Sequence, residues 1–165
     1  MKIFIIEDDL SIMTLIEERF AQWKLDVVGV TDFADVQQQF QREEPQLVII
    51  DIQLPVYDGF HWCREIRMQS NVPILFLSSR DHPMDMVMAM QLGADDFMQK
   101  PFHMDVLVAK VQALLRRTYD YKEVQSDTDQ WCGASIQYDR AVVKYEEQQV
   151  ELTKNELFIL KVLVQ

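Results

Sequence analysis

Five short apolar runs are spaced along the first hundred residues, and a segment with helical periodicity separates each run from the next. The runs cover residues 3–6, 27–30, 47–50, 74–77 and, more weakly, 97–98. Runs that are apolar throughout are typical of strands buried on both faces of a parallel sheet. Strands that alternate with helices form right-handed βαβ units. The sequence therefore predicts an α/β fold with a doubly wound, five-stranded parallel sheet.

The segments between these runs place apolar residues on one face of each predicted helix. The first face has Ile12, Leu15, Ile16, Phe20 and Trp23, the second has Phe33, Val36 and Phe40, and the last has Met104, Leu107, Val108, Val111, Leu114 and Leu115. Either Thr31 or Asp32 is predicted to cap the second helix, because both side chains can accept a hydrogen bond from a free backbone N–H.

Acidic residues stand at the carboxyl ends of two predicted strands. Glu7, Asp8 and Asp9 follow the first strand, and Asp51 ends the third. In doubly wound sheets, ligands bind beyond the strand ends where the strand order reverses, so the order 2-1-3-4-5 would bring these carboxylates together. Neighbouring carboxylates repel one another unless a cation neutralises them, and Mg²⁺ prefers oxygen ligands. We therefore expect a Mg²⁺ site in which one carboxylate can act as a nucleophile toward phosphorus.

Two further strand ends carry residues that suit a phosphoryl group. Ser78 follows the fourth strand and Lys100 follows the fifth. A metal ion, a hydroxyl and an ammonium group can together hold three phosphoryl oxygens. Ser79 is an alternative to Ser78, although the alternation of side chains along the strand favours Ser78. Asp9 is expected to cap the first helix, with metal binding as the alternative.

The chain changes character after the last apolar helix. We expect a first domain at residues 1–118, a polar and acidic linker at 119–130, and part of a second domain at 131–165. The second part predicts antiparallel strands with a turn near Glu147. A capping box, Thr153 to Glu156, then opens an apolar helix whose leucines have no predicted partner. We therefore expect the second domain to be incomplete.

Five motifs occur in order: "IIEDD", "LVIIDIQLPVYDGF", "PILFLSSRD", "LGADDFMQKPF" and "LTKNELFIL". Together they resemble bacterial two-component response regulators of the OmpR/PhoB winged-helix type. The resemblance covers the whole chain and implies a flavodoxin-like receiver domain followed by the first strands and helix of a winged-helix domain. It also implies that Asp51 accepts a phosphoryl group from a histidine kinase.

The same resemblance implies roles for the other residues of the site. Mg²⁺ would be held by Glu7, Asp8, Asp51 and the backbone carbonyl of Gln53. Ser78 and Lys100 would bind the phosphoryl oxygens, and Phe97 would change its rotamer together with Ser78 as a switch. The bond between Lys100 and Pro101 would be cis.

Dimerisation in this family uses the fourth helix, fifth strand and fifth helix. Asp95, Asp96 and Lys110 match the residues that form ion pairs between the two chains. The stretch "PMDMVMAMQLG" departs from the pattern with methionines where basic residues are common, and Val106 replaces a common glutamate. The methionines are either core filler or an adaptable apolar contact surface. The pattern is similar to regulators that sense envelope stress and antimicrobial peptides.

The implied setting is cytoplasmic, and the implied partners are a membrane histidine kinase, a second copy and promoter DNA. The formal charge of −11 argues against binding of nucleic acid by bulk electrostatics. The recognition helix and wing would lie beyond residue 165. We therefore expect DNA binding of the full-length protein but not of this fragment. Two distant cysteines are typical of reduced cytosolic thiols.

Two other functional classes are compatible with parts of the sequence. A stand-alone receiver would act by protein contacts, but the capping-box helix after the linker argues against it. A phosphatase with an aspartate nucleophile would need a second acid two residues later as general acid, and Gln53 occupies that position. We therefore expect no enzyme activity on other substrates, only self-catalysed phosphoryl transfer and hydrolysis.

Overall fold

Five parallel strands form the sheet that the apolar runs predict. They are β1 (Lys2–Ile6), β2 (Asp26–Gly29), β3 (Leu47–Asp51), β4 (Ile74–Ser78) and β5 (Asp96–Gln99). Their order is β2-β1-β3-β4-β5, which confirms the predicted order, and all neighbours are parallel. The direction of winding reverses between β1 and β3, so the carboxyl ends of these two strands border the crevice where ligands bind in such sheets.

The computed structural model describes residues 1–120, 128–131, 134–137 and 141–164. It divides into two units, Met1–Leu115 and Arg116–Gln165. Most of the predicted linker lies outside the described residues, and so does Cys132. In the part of the chain that is described, no helix combines the length and apolarity needed to cross a membrane.

Five helices cover the parallel sheet. They are α1 (Leu10–Ala21), α2 (Val36–Glu43), α3 (Gly59–Arg67), α4 (Pro83–Gln91) and α5 (Met104–Leu115). Phe4 and Ile6 of β1 belong to a buried cluster with residues of α2, α3 and α4. Because side chains alternate along a strand, the equally buried Ile3 and Ile5 face the opposite side of the sheet. The sheet is therefore packed on both faces, as continuous apolar strands require.

Two details of the helix predictions are wrong. Leu15 and Trp23 are exposed, because the buried face of α1 is formed by Met13, Ile16 and Phe20. The cap of α2 is neither Thr31 nor Asp32. Its N-cap is Asp35, which accepts a hydrogen bond from the N–H of Gln38. The Asp32 carboxylate accepts instead from the N–H of Ala34, and Thr31 bonds to Gln39 at the helix face.

The second unit begins with a π-helical turn at Arg116–Asp120 and continues as an antiparallel sheet. Its strands are β6 (Thr128–Trp131), β7 (Ala134–Gln137), β8 (Val142–Tyr145) and β9 (Gln148–Glu151), in that order across the sheet. β6 begins inside the predicted linker, because a polar segment can still pair along a sheet edge through its backbone. A turn at Glu146 and Glu147 joins β8 to β9, as predicted.

The last helix, α6 (Lys154–Val164), begins with the predicted capping box. The N–H of Glu156 donates to the Thr153 hydroxyl at 3.3 Å, and the Glu156 carboxylate accepts from the N–H and hydroxyl of Thr153. Two backbone donors at the helix start are thus satisfied reciprocally.

Candidate functional site

Three carboxylates meet at the carboxyl ends of β1 and β3. Glu7 and Asp8 directly follow β1, Asp51 is the last residue of β3, and Ile6 is in register with Ile50. One oxygen from each carboxylate lies within 4.8 Å of the others. Glu7 and Asp51 are buried, whereas Asp8 is exposed. The adjacency of two buried strands therefore brings together acids that stand more than forty positions apart in the sequence.

Lys100 reaches this acidic cluster from the end of β5. Its Nζ lies 2.7 Å from Oε2 of Glu7 and 2.9 Å from Oδ2 of Asp51. The peptide bond between Lys100 and Pro101 is cis, as the family resemblance implies. One ammonium group thus bridges two buried carboxylates, while the third carboxylate, Asp8, faces solvent.

The electrostatic environment shifts two of these groups. Burial raises the pKa of the Glu7 carboxyl, and the hydrogen bond from Lys100 offsets only part of that rise. Burial by itself would lower the pKa of Lys100, but its hydrogen bonds to Glu7 and Asp51 outweigh burial and raise the pKa. The site therefore stabilises a charged lysine and disfavours an accumulation of negative charge.

The two serines at the end of β4 occupy different environments. Ser78 is fully buried, and its Oγ accepts a hydrogen bond from the N–H of Arg80 at 3.0 Å. Ser79 is exposed, and its hydroxyl donates to Oε1 of Gln53 at 2.9 Å. The N–H of Gln53 in turn donates to Oδ1 of Asp51 at 3.3 Å. The alternation of side chains along the strand thus turns Ser78 inward, whereas Ser79 is hydrogen-bonded to the loop that follows Asp51.

An ion pair connects the loop after Ser78 to α4. Nε of Arg80 lies 3.0 Å from Oδ2 of Asp85, and the Asp85 carboxylate is almost completely buried on the inner face of α4. Arg80 is partly exposed, but the Asp85 carboxylate is buried, so separating the two would leave a buried charge unpaired. This favours movement of α4 and the loop together. No sequence pattern predicts this pair, because arginine and aspartate five positions apart are common on surfaces.

Phe97, the predicted aromatic switch, is half-buried in β5 opposite Phe76. A cavity of about 370 Å³ lies beside its ring, and Arg80, Met86 and Val87 also line that cavity. Phe97 therefore faces the same loop and the same helix as the Arg80–Asp85 ion pair.

The acidic residues predicted for contacts between chains are paired within the chain. Asp95 accepts from Arg67 at 3.0 Å and from the N–H of Ile74 at 2.9 Å. Asp96 lies 2.9 Å from Nζ of Lys110. Both pairs form because the turn into β5 places these acids beside α3 and α5. Any contact between two chains through them must compete with these internal partners.

The methionines of α4 are not core filler. The buried residues of this helix are Asp85 and Ala89, which lie one turn apart. Met84, Met86, Met88 and Met90 are between 46% and 58% exposed, and Val87 and Val106 are also exposed. Of the two interpretations that the sequence allowed, the structure supports an apolar surface, which we call the methionine face (Met84, Met86, Val87, Met88, Met90).

Gly59 is a positioning residue that the sequence pattern does not predict. Asp58 accepts a hydrogen bond from the N–H of His61 and is the N-cap of α3. The N–H of Gly59 donates to the carbonyl of Ile52 at 2.9 Å. A β-carbon at position 59 would overlap the backbone carbonyl of Asp51. Only glycine therefore allows α3 to begin directly against the residue that ends β3.

Comparison with known proteins agrees with this geometry. Residues 3–112 match the family described as the response regulator receiver domain. Sensory transduction protein BceR of Halalkalibacterium halodurans is 59% identical over 99% of this chain and 71% of its own length. Response regulator protein GraR of Staphylococcus epidermidis is 47% identical over 99% of this chain and 73% of its own.

A solved structure, the N-terminal domain of the nisin resistance regulator NsrR, described as a lantibiotic response regulator, is 43% identical. It has a TM-score of 0.65 and covers 70% of this chain and 97% of that one. The chain therefore belongs to the response regulators of two-component systems and carries their phosphorylation-switched receiver domain. The resemblance to response regulators of the OmpR/PhoB type is thereby confirmed.

Replacing Gly59 with alanine should displace Asp51. We expect Gly59→Ala to destabilise the receiver by about 1–3 kcal/mol, as overpacking does in a well-packed interior, and to slow phosphorylation. Urea unfolding and the rate of modification by acetyl phosphate measure the two effects. Gly29→Ala is a matched control, because a β-carbon there meets only the flexible end of Met13. Equal phosphorylation rates in both variants would contradict the positioning role of Gly59.

Proposed function

We propose that Asp51 is the residue that accepts the phosphoryl group from a histidine kinase. The observation that carries this proposal is the convergence of Glu7, Asp8 and Asp51 with Lys100. An Asp51 oxygen would form a bond to phosphorus while the bond from phosphorus to the histidine nitrogen of the kinase breaks. Nζ of Lys100 lies 2.9 Å from Oδ2 of Asp51, within reach of the added negative charge. The Ser78 hydroxyl would donate a hydrogen bond to a phosphoryl oxygen.

The donor set fits Mg²⁺. Three carboxylates within one small volume carry more negative charge than one lysine balances, and carboxylate oxygens are the ligands that this hard cation prefers. Glu7, Asp8 and Asp51, with the backbone carbonyl of Gln53, would hold the ion. When bound, Mg²⁺ would neutralise charge on the phosphoryl oxygens. The rest of the chemistry proposed for this chain is self-catalysed: phosphoryl transfer to Asp51 and hydrolysis by water.

A structural change at the phosphorylated site would reach the receiver surface through the loop that follows β4. If the Ser78 hydroxyl turns toward a phosphoryl oxygen, the N–H of Arg80 loses its acceptor. The Arg80–Asp85 ion pair would transmit this change to α4, and Phe97 would turn into the space that Ser78 leaves. Phosphorylation then shifts a population between two arrangements according to their affinities for the phosphoryl group.

The surface formed by α4, β5 and α5 is our proposed dimer interface in the phosphorylated state. The methionine face and Val106 supply exposed apolar area there, whereas Asp96 and Lys110 already pair within the chain. Met side chains adapt readily to a partner surface. Two receivers joined in this way would bring two effector domains onto promoter DNA in the cytoplasm.

For the second unit we propose the N-terminal part of a winged-helix domain. Four antiparallel strands followed by a capped helix support this assignment. Residues 119–165 contain nine acidic and five basic residues, which is unfavourable for contact with DNA phosphates. We therefore propose promoter binding by the full-length dimer, not by these 165 residues. The 43% identity to a nisin resistance regulator supports a role in the response to antimicrobial peptides.

Intact mass after incubation with acetyl phosphate and Mg²⁺ tests Asp51. We expect one added phosphoryl group in the natural chain, none when Mg²⁺ is chelated, and none in Asp51→Asn, which keeps the shape of the side chain but removes the nucleophile. Asp58→Asn is the control, because Asp58 caps α3 outside the cluster. A phosphoryl group that persists in Asp51→Asn would place the acceptor elsewhere.

The apolar interface predicts weak dependence of dimerisation on salt. Charge pairs between exposed groups weaken as ionic strength rises, whereas apolar contacts do not. We expect the dimer dissociation constant of the phosphorylated chain, measured by sedimentation, to change little between low and high sodium chloride concentrations. A steep weakening with salt would indicate that ion pairs hold the dimer instead.

A further inference from the structure

We propose that the methionine face is a site of reversible oxidation, at which hypochlorous acid or a related two-electron oxidant converts the thioethers to sulfoxides and prevents dimerisation. The chain has nine methionines, and four of them stand within seven residues of one helix. The proposal rests on the dimer proposed above for its consequence, but its chemistry depends only on the exposure of these side chains.

Accessibility separates these four methionines from buried ones. Met84, Met86, Met88 and Met90 expose 46% to 58% of their surface, whereas Met13 and Met98 expose 8% and 6%. The residues between them, Asp85 and Ala89, turn inward. Met84 and Met88 therefore lie one turn apart on one flank of α4, and Met86 and Met90 lie one turn apart on the other. An oxidant can reach both flanks without any opening of the fold.

The location links oxidation to the switch. Met86 lines the cavity beside Phe97, together with Arg80 and Val87. A sulfoxide at this position places a strong dipole next to the aromatic ring and next to the loop that leads to Ser78. Oxidation would therefore act at the surface where the phosphorylation signal emerges, and not at the acidic cluster itself.

The reaction is a transfer of one oxygen atom. The methionine sulfur gains oxygen and is oxidised by two electrons, and hypochlorous acid is reduced by two electrons to chloride with release of a proton. A thiol-dependent methionine sulfoxide reductase reverses the change, because it returns two electrons and releases the oxygen as water. Each cycle leaves the carbon skeleton intact, so the modification is reversible.

The consequence follows from the polarity of the product. A sulfoxide is a strong hydrogen-bond acceptor, and burying it against an apolar partner leaves it without a donor. For each sulfoxide that the partner covers, we expect the dimer association constant to fall roughly tenfold, since an unpaired polar group costs about that much on burial. Several sulfoxides on one helix would abolish association.

The test compares three forms of the 165-residue chain, all with Cys132→Ser to remove a competing thiol. They are the otherwise natural chain, a variant with Met84, Met86, Met88 and Met90 all changed to Leu, and Met68→Leu.

Each is treated with hypochlorite, quenched with free methionine and incubated with dithiothreitol, which leaves sulfoxides unchanged. Acetyl phosphate and Mg²⁺ follow. Peptide mass spectrometry measures the sulfoxides, intact mass measures phosphorylation, and sedimentation measures dimerisation.

We expect the otherwise natural chain and Met68→Leu to be phosphorylated normally after oxidation but to lose dimerisation. Treatment of the oxidised samples with a methionine sulfoxide reductase should restore dimerisation. Met68 is a suitable control because it is 80% exposed but lies at the end of α3. The dimer dissociation constant of the fourfold leucine variant, whatever its value before treatment, should be the same before and after hypochlorite. If that variant also loses dimerisation, or if the otherwise natural chain dimerises with α4 fully oxidised, the inference is wrong. Phosphorylation without dimerisation in untreated samples would instead refute the dimer proposal and, with it, the consequence drawn here.

Discussion

The position of Lys100 between the carboxylates of Glu7 and Asp51 is the interaction on which the rest of the site depends. Each of these residues stands at the carboxyl end of a different strand, so their meeting requires the strand order and the register of the whole sheet. Burial strengthens the attraction between the charges and makes an uncompensated carboxylate costly. The sheet thus concentrates negative charge at one place. Lys100 balances part of this charge, and a divalent cation can balance the rest.

The same arrangement explains how a change at Asp51 reaches the surface of the receiver. Ser78 ends the strand beside Asp51, its hydroxyl accepts from Arg80, and Arg80 pairs with the buried Asp85 of α4. The outer side of that helix carries the methionine face. Two neighbouring strands, one hydrogen bond and one ion pair therefore connect Asp51 to the helix that carries the apolar surface. Breaking either polar contact costs free energy.

The sequence predicts the sheet and the acidic cluster well, because both depend on strong and local signals. Apolar runs define the strands, and residues at strand ends must meet once the strand order is known. It predicts individual contacts less well. Leu15 and Trp23 fit the helical period of α1 but are exposed, since period alone does not say which arc of the helix meets the sheet. The close approach of Gly59 to Asp51 and the Arg80–Asp85 pair arise only from three-dimensional packing.

Mg²⁺ affinity in a Lys100→Met variant tests the central claim most directly. If Lys100 balances the carboxylates of Glu7 and Asp51, its replacement by a neutral side chain of similar length should make Mg²⁺ bind several-fold more tightly at mildly alkaline pH. Lys110→Met is the control, because Lys110 pairs with Asp96 away from the cluster. Calorimetric titration of both variants and the natural chain gives the three dissociation constants. Unchanged or weaker binding in Lys100→Met would contradict the account of charge balance at this site.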